Sequence, residues 1–200
     1  MSGERVSSHD LTDALEHRLL AAGLHTSVLA HSLRVHAFAR AESDAEEFQI
    51  DERALVIACL FHDAGSIPAA SSDRFEVVGA DLARDVALGE GLSPRASQEV
   101  WDAVALHTSP GIADRQRPLS RCVRRGVLTD FGNARLRRRH QKLVVEVEER
   151  WPRAEIELVL QGLVVDAAKE DPRRGAAPSW SADLVRGSVG LPPRQINPYF

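Results

Sequence analysis

Ala54 to Phe61, "ALVIACLF", is eight apolar residues in unbroken succession, and it runs straight into His62-Asp63 with Gly65 and Pro68 close behind. A segment apolar on every side is stable only when it is covered on every side, so the rest of the chain has to wrap it. Asp51 in front is a helix cap, and Gly65 and Pro68 behind are helix breakers, which makes the run a buried central helix ending at His62. Burial is also what makes that end unusual. An imidazole and a carboxylate set into an apolar core need partners, or a cation, to offset their lost hydration.

Helical periodicity and helix punctuation dominate elsewhere too. Ser8 or Asp10 caps a helix with a Leu11, Leu15 and Leu19 stripe that stops near Gly23. Further helices are predicted over about Val28 to Glu42, Phe75 to Leu88, Ser93-Pro94 to Thr108, Leu119 to Phe131, Leu136 to Arg150 and Glu155 to Ala168. The tail, rich in Pro and Gly, reads as loop with a short helix near Ala182 to Val185. No strand-length alternation competes with helix, and no repeat or linker divides the chain. The expectation is an all-α fold in a single compact helical domain, with residues 1–25 as an N-terminal helix on the core and 187–200 as a loop-rich tail.

Composition narrows the function classes. With 44% hydrophobic and 27% charged residues the chain has a core and a hydrated surface, and its net charge of −4 gives no overall attraction for nucleic acid. The "RLRRRH" cluster at 135–140 precedes "EVEER" and reads as a solvated helix face. Cys59 and Cys122 are too far apart in sequence to suggest a metal knuckle, and Cys59 reads as a small buried hydrophobe. No apolar signal core or membrane-length run is present, so the expected location is the cytoplasm. The expected partner is a small-molecule substrate, with no nucleic acid and no membrane; self-association into a homo-oligomer stays open.

Helical phase sorts the polar candidates. His31 shares a sector with Val28, Val35 and Phe38 and points inward, whereas His36, five positions on, falls about 140° away. His107 lies with Val100 and Val104, and Asp130 with Val123 and Val127, so both also point inward. Glu76 opens a helix, where a carboxylate also favours the positive end of the dipole. His31, His62, Asp63 and Asp130 together offer two imidazoles and two carboxylates from three helices. That mixture suits one divalent transition metal, Zn first, with Fe or Mn as alternatives. "DFG" at 130–132 has no glycine loop or His-Arg-Asp partner and carries no kinase meaning.

The order His31, His62-Asp63, Asp130 resembles the signature of the HD-domain superfamily of metal-dependent hydrolases. The segments "HSLRVHAFA", "ACLFHDAG", "RFEVVGADLARD", "VWDAVALHTSPGIA", "LTDFG" and "GAAPSWSADLV", over about residues 26–186, are similar to the branch that includes cyanamide hydratase. The resemblance implies an all-helical fold with these four side chains around a divalent metal. Phe75 stands where two-metal members carry a further histidine, so a single metal is expected. Asp63, His107 and Glu76 become the catalytic candidates, the latter two as substrate contacts or proton acceptors. Arg34, one turn beyond His31, is a substrate-binding candidate together with Phe75 and Thr108. The implied activity is hydrolysis or hydration of a small substrate, such as a cyanamide- or nitrile-like carbon. Phosphate-ester hydrolysis is the alternative, and a non-catalytic, metal-stabilised ligand sensor is the reading from another class.

Overall fold

The apolar run forms α3, Glu52–Phe61, and every residue from Ala54 to Phe61 is at most 5% exposed. Asp51 caps it by accepting the amide of Arg53 at 2.9 Å. Burying each Leu, Ile or Phe of this helix contributes about 1.5–3 kcal/mol, which makes it the element the others assemble on. The structure, a computed structural model, describes residues 8–67, 71–176 and 179–188. Pro68, the first seven residues and the tail from 189 onward lie outside them.

Around α3 pack α1 (Ser8–Ala21), α2 (Thr26–Ala45), α4 (Phe75–Gly89), α5 (Pro94–Leu106) and α6 (Pro118–Asp130). Leu11, Leu15 and Leu19 of α1, Val28 and Val35 of α2, and Val123 and Val127 of α6 join α3 in one core. Ser93 caps α5 by accepting from the Ala96 amide at 3.2 Å, with Pro94 at the first helical position. The chain continues as α7 (Ala134–Arg139), α8 (Gln141–Arg150), α9 (Ile156–Glu170) and α10 (Trp180–Ser188). Among the described residues there is no strand, so the fold is all-α, as the sequence pattern predicts. None of these helices is long and apolar enough to cross a membrane.

One helix of the sequence reading is two in the structure. The segment predicted as continuous from Leu136 to Arg150 breaks at His140, at φ −114° and ψ 29°. The cause is a buried acid. Glu42 of α2 is fully enclosed and accepts from Arg125 at 2.9 Å, Arg139 at 3.4 Å and His140 at 2.5 Å. Only a kinked chain turns both Arg139 and His140 towards it. Arg137 pairs with Glu148, so of the basic cluster it is Arg135 and Arg138 that form the solvated face.

Glycines permit the closest approaches. A Cβ on Gly126 of α6 would lie 2.6 Å from the Val35 carbonyl oxygen of α2, so these helices touch backbone to side. A Cβ on Gly65 would lie 1.9 Å from the carbonyl oxygen of Phe75, and one on Gly79 2.9 Å from that of Phe61. Together they seat the start of α4 on the end of α3.

Two predictions follow from this packing. Gly126→Ala should lower stability by about 1–3 kcal/mol by overpacking the α2–α6 contact. Gly162→Ala, in α9 with nothing within 4 Å, should gain roughly 0.5–1 kcal/mol; chemical denaturation of both variants checks the contrast. His36 is largely buried and held down to about 4, first by burial and then by Arg40. Its unfolded value is higher, so its share of stability is complete above about pH 6.5 and declines as pH falls towards 4, by roughly 3 kcal/mol at most. His36→Gln should flatten the fall in melting temperature over that window; an unchanged profile would refute the assignment.

Candidate metal centre

Three helices end at one place. His62 and His107 close α3 and α5 in right-handed helical conformation, and Asp130 is the last residue of α6. Gly132, at φ 94°, turns the chain away, and the Asn133 amide bonds back to the Leu128 carbonyl at 2.9 Å. Helix C-termini present unsatisfied carbonyls and a partial negative charge, so their convergence favours a cation. Into this focus His31 projects from the middle of α2, fully buried.

The hydrogen bonds fix the tautomers. His62 Nδ1–H donates to the Cys59 carbonyl at 2.7 Å, and His107 Nδ1–H to the Val104 carbonyl at 2.6 Å. Carbonyls only accept, so in both neutral rings Nε2 is left as a bare lone pair. His31 Nδ1–H donates to Asp130 Oδ2 at 2.6 Å, which bares its Nε2 as well. With both rings neutral, His31 Nε2 and His62 Nε2 face each other at 3.1 Å as two acceptors. Asp63 Oδ2 lies 3.2 Å from the second and 3.6 Å from the first, buried and without a hydrogen-bond donor. The ligand atoms of His31, His62 and Asp63 all fall within 4.8 Å of one another.

With the rings neutral these three acceptors repel each other, and a positive charge, a proton on His62 or a bound cation, reconciles them. The residues therefore fit a divalent metal held by nitrogen and oxygen. The electrostatics agree. Burial pushes the Asp63 carboxyl up, but His62 and His107 outweigh it and hold the group well below the usual range. Burial lowers His62, yet Asp63 and the Cys59 carbonyl lift it above its ordinary value: the carboxylate calls for positive charge at this point. At His31 burial prevails over Asp130 and the ring favours its neutral, ligating form.

The other candidates surround this trio. Asp130 is buried and held far below its usual range by His31 and Arg34 against the effect of burial. Its Oδ1 and Oδ2 accept from Arg34 at 2.7 and 2.9 Å, and Oδ2 also from His31. Arg34 is fully buried and spends its remaining nitrogen on the Trp151 and Pro152 carbonyls, at 3.1 Å each. His107 Nε2 stands 3.4 Å from Asp63 Oδ1, whereas His31 approaches Oδ2. Glu76 accepts from Arg74 at 2.7 Å and from Thr108 Oγ1 at 2.8 Å, which ties the start of α4 to the end of α5 beside His107. Phe75 packs against His107, with ring centroids 5.8 Å apart.

Sequence reasoning missed two walls of the site. The Phe131 ring lies 4.7 Å from that of His31, and Trp180 of α10 lies 5.8 Å from Phe75. Phe131 and Trp180 line a small void with Leu160 and Leu184. Both aromatics fall within quoted motifs, "LTDFG" and "GAAPSWSADLV", but an aromatic at helical spacing is usual core material and has no phase that singles it out.

A family model described as HD domain matches residues 28–168. No curated protein matches the chain.

Metal should stabilise the fold in proportion to its occupancy: about 2.7 kcal/mol at a hundredfold excess over Kd, equivalent to roughly 5–10 °C in melting temperature. His62→Ala should abolish both the bound metal, read by mass spectrometry, and its thermal increment. A protein that melts identically with and without a chelator would refute the centre.

Proposed function

This chain belongs to the HD-domain family of metal-dependent hydrolases, and from that premise we propose that it is an enzyme in which water attacks a small substrate at the His31–His62–Asp63 centre. When bound there, a divalent cation supplies a water with a pKa of roughly 7 and polarises a substrate nitrogen or oxygen. The observation that carries the reading is the convergence of His31 Nε2, His62 Nε2 and Asp63 Oδ2, all buried and within 4.8 Å of one another. Zinc suits this mixture best, with iron or manganese next.

The chain's own residues have distinct tasks. Asp130 fixes the ring of His31, and Arg34 fixes Asp130. The Cys59 carbonyl does the same for His62 from within α3. His107 keeps Nε2 free beside Asp63, so it is placed to accept a proton as a nucleophile forms. Glu76, already engaged by Arg74 and Thr108, supports the wall behind it. Phe75, Phe131 and Trp180 exclude water.

Among the reactions open to such a centre, we favour addition of water to an electron-poor carbon, cyanamide- or nitrile-like. The rings packed on the centre's imidazoles are aromatic and uncharged, and the cations that reach Asp130 are occupied. Arg34 is held by Asp130 and two carbonyls, and Arg153 by Glu157. Phosphate-ester hydrolysis is the second reading, favoured by the uncommitted Arg174 described below.

Cyanamide and small nitriles, assayed beside nucleoside monophosphates and a chromogenic phosphate ester, decide between the two. We expect product from the first group, lost in Asp63→Ala. His107→Gln should lower kcat about 10²–10⁴-fold with metal content unchanged. Phosphate release that disappears in Asp63→Ala would overturn the preference.

A further inference from the structure

Two consecutive arginines follow α9 and meet opposite fates. Arg173 is exposed and grips Asp171, with Nε to Oδ1 at 3.0 Å and Nη2 to Oδ2 at 2.7 Å. Arg174 turns inward, is only 8% exposed, and its Nε has no hydrogen-bond partner. It forms no ion pair among the described residues. Among the described residues two further arginines are buried, and both are engaged: Arg34 holds Asp130, and Arg124 donates to the His107 carbonyl at 3.0 Å. A buried guanidinium nitrogen without an acceptor is costly, and an anion would relieve it.

Arg174 lines a small cleft with Ser66, Phe75, Leu163 and Val164. Ser66 Oγ is a second buried polar atom there without a partner. The frame is rigid on both sides. A Cβ on Gly175 would lie 2.9 Å from that of Ala168, which presses the turn carrying Arg174 onto α9, while Gly65 locks the turn carrying Ser66 onto Phe75. That second turn, Ala64–Ser66, begins directly after Asp63, so Ser66 lies roughly 6 Å further along the backbone. Phe75 stands between the two places, packed on His107 and on Trp180.

We propose that Arg174 and Ser66 form an oxyanion-binding subsite that holds the carboxylate or phosphate of a small molecule lying over Phe75 towards the metal centre. The ligand's direction rests on the hydrolytic reading of that centre; the subsite itself does not. A planar fork paired with a hydroxyl donor suits either oxyanion. The consequence for the enzyme is a substrate class: a small molecule with a reactive group at one end and an oxyanion at the other.

The test is calorimetric titration of the full, metal-loaded chain with sodium phosphate and, separately, sodium acetate. At least one should bind at one equivalent, and the tighter of the two names the group. Arg174→Gln should weaken that binding about tenfold or more with metal content unchanged. Asp63→Ala, which empties the metal centre, should retain it. Failure of both anions to bind the unaltered chain, or undiminished binding by Arg174→Gln, would overturn the subsite. So would binding lost in Asp63→Ala and kept in Arg174→Gln, since the anion would then sit on the metal. If Arg174→Gln does not fold, Ser66→Ala takes its place: a loss of about threefold or more supports the subsite, and unchanged affinity overturns it. Absence of metal from the unaltered chain with anion binding intact would refute the hydrolytic reading alone.

Discussion

The structure depends on the meeting of acceptors around Asp63. Among the described residues four acidic side chains are buried, and three of them have a guanidinium: Glu42 has Arg125, Asp130 has Arg34, and Glu76 has Arg74. Asp63 has only imidazoles, whose Nδ1 protons are directed to backbone carbonyls. A carboxylate in that position would destabilise the core unless a positive charge came to it. Everything around the site serves to keep the place open for one. The helix ends bring in negative potential, the backbone carbonyls turn the rings, and Phe131 and Phe75 pack against the rings of His31 and His107.

The same comparison separates scaffold from site elsewhere. Buried ions that have partners hold elements together: Glu42 joins α2 to α6 and α7, and Arg34 joins α2 to the end of α6 and to the chain leaving α8. Buried ions that lack them, Asp63 and Arg174, lie on either side of Phe75. One asks for a cation and the other for an anion. A small molecule bearing both a metal-binding group and an oxyanion would satisfy the two together.

Much of this was legible in the chain. Caps such as Asp51 and Ser93-Pro94 and the apolar stripes act locally, so they fixed the helices to within a few residues. Helical phase turned His31, His107 and Asp130 inward because burial and phase are the same fact seen twice. The break at His140 was not legible, because it answers to Glu42, 98 residues away, and no local pattern shows a buried acid drawing a helix apart. The positions of Phe131 and Trp180 against the site, and the isolation of Arg174, depend equally on distant packing. Two adjacent arginines look alike until one of them finds an aspartate.

The way each imidazole is steered has a consequence for assembly. His62 and His107 are oriented by carbonyls three residues back in their own helices, so their aim is set as soon as those helix ends form. His31 takes its orientation from Asp130, 99 residues later. The ligand His62 and its neighbour His107 are thus aimed by local folding, whereas the other imidazole ligand, His31, is aimed only once α6 has docked on α2. Tight ion capture therefore acts as a late latch: it rewards the finished tertiary arrangement and gives little to partly folded chains, which ties cofactor loading to completion of the fold.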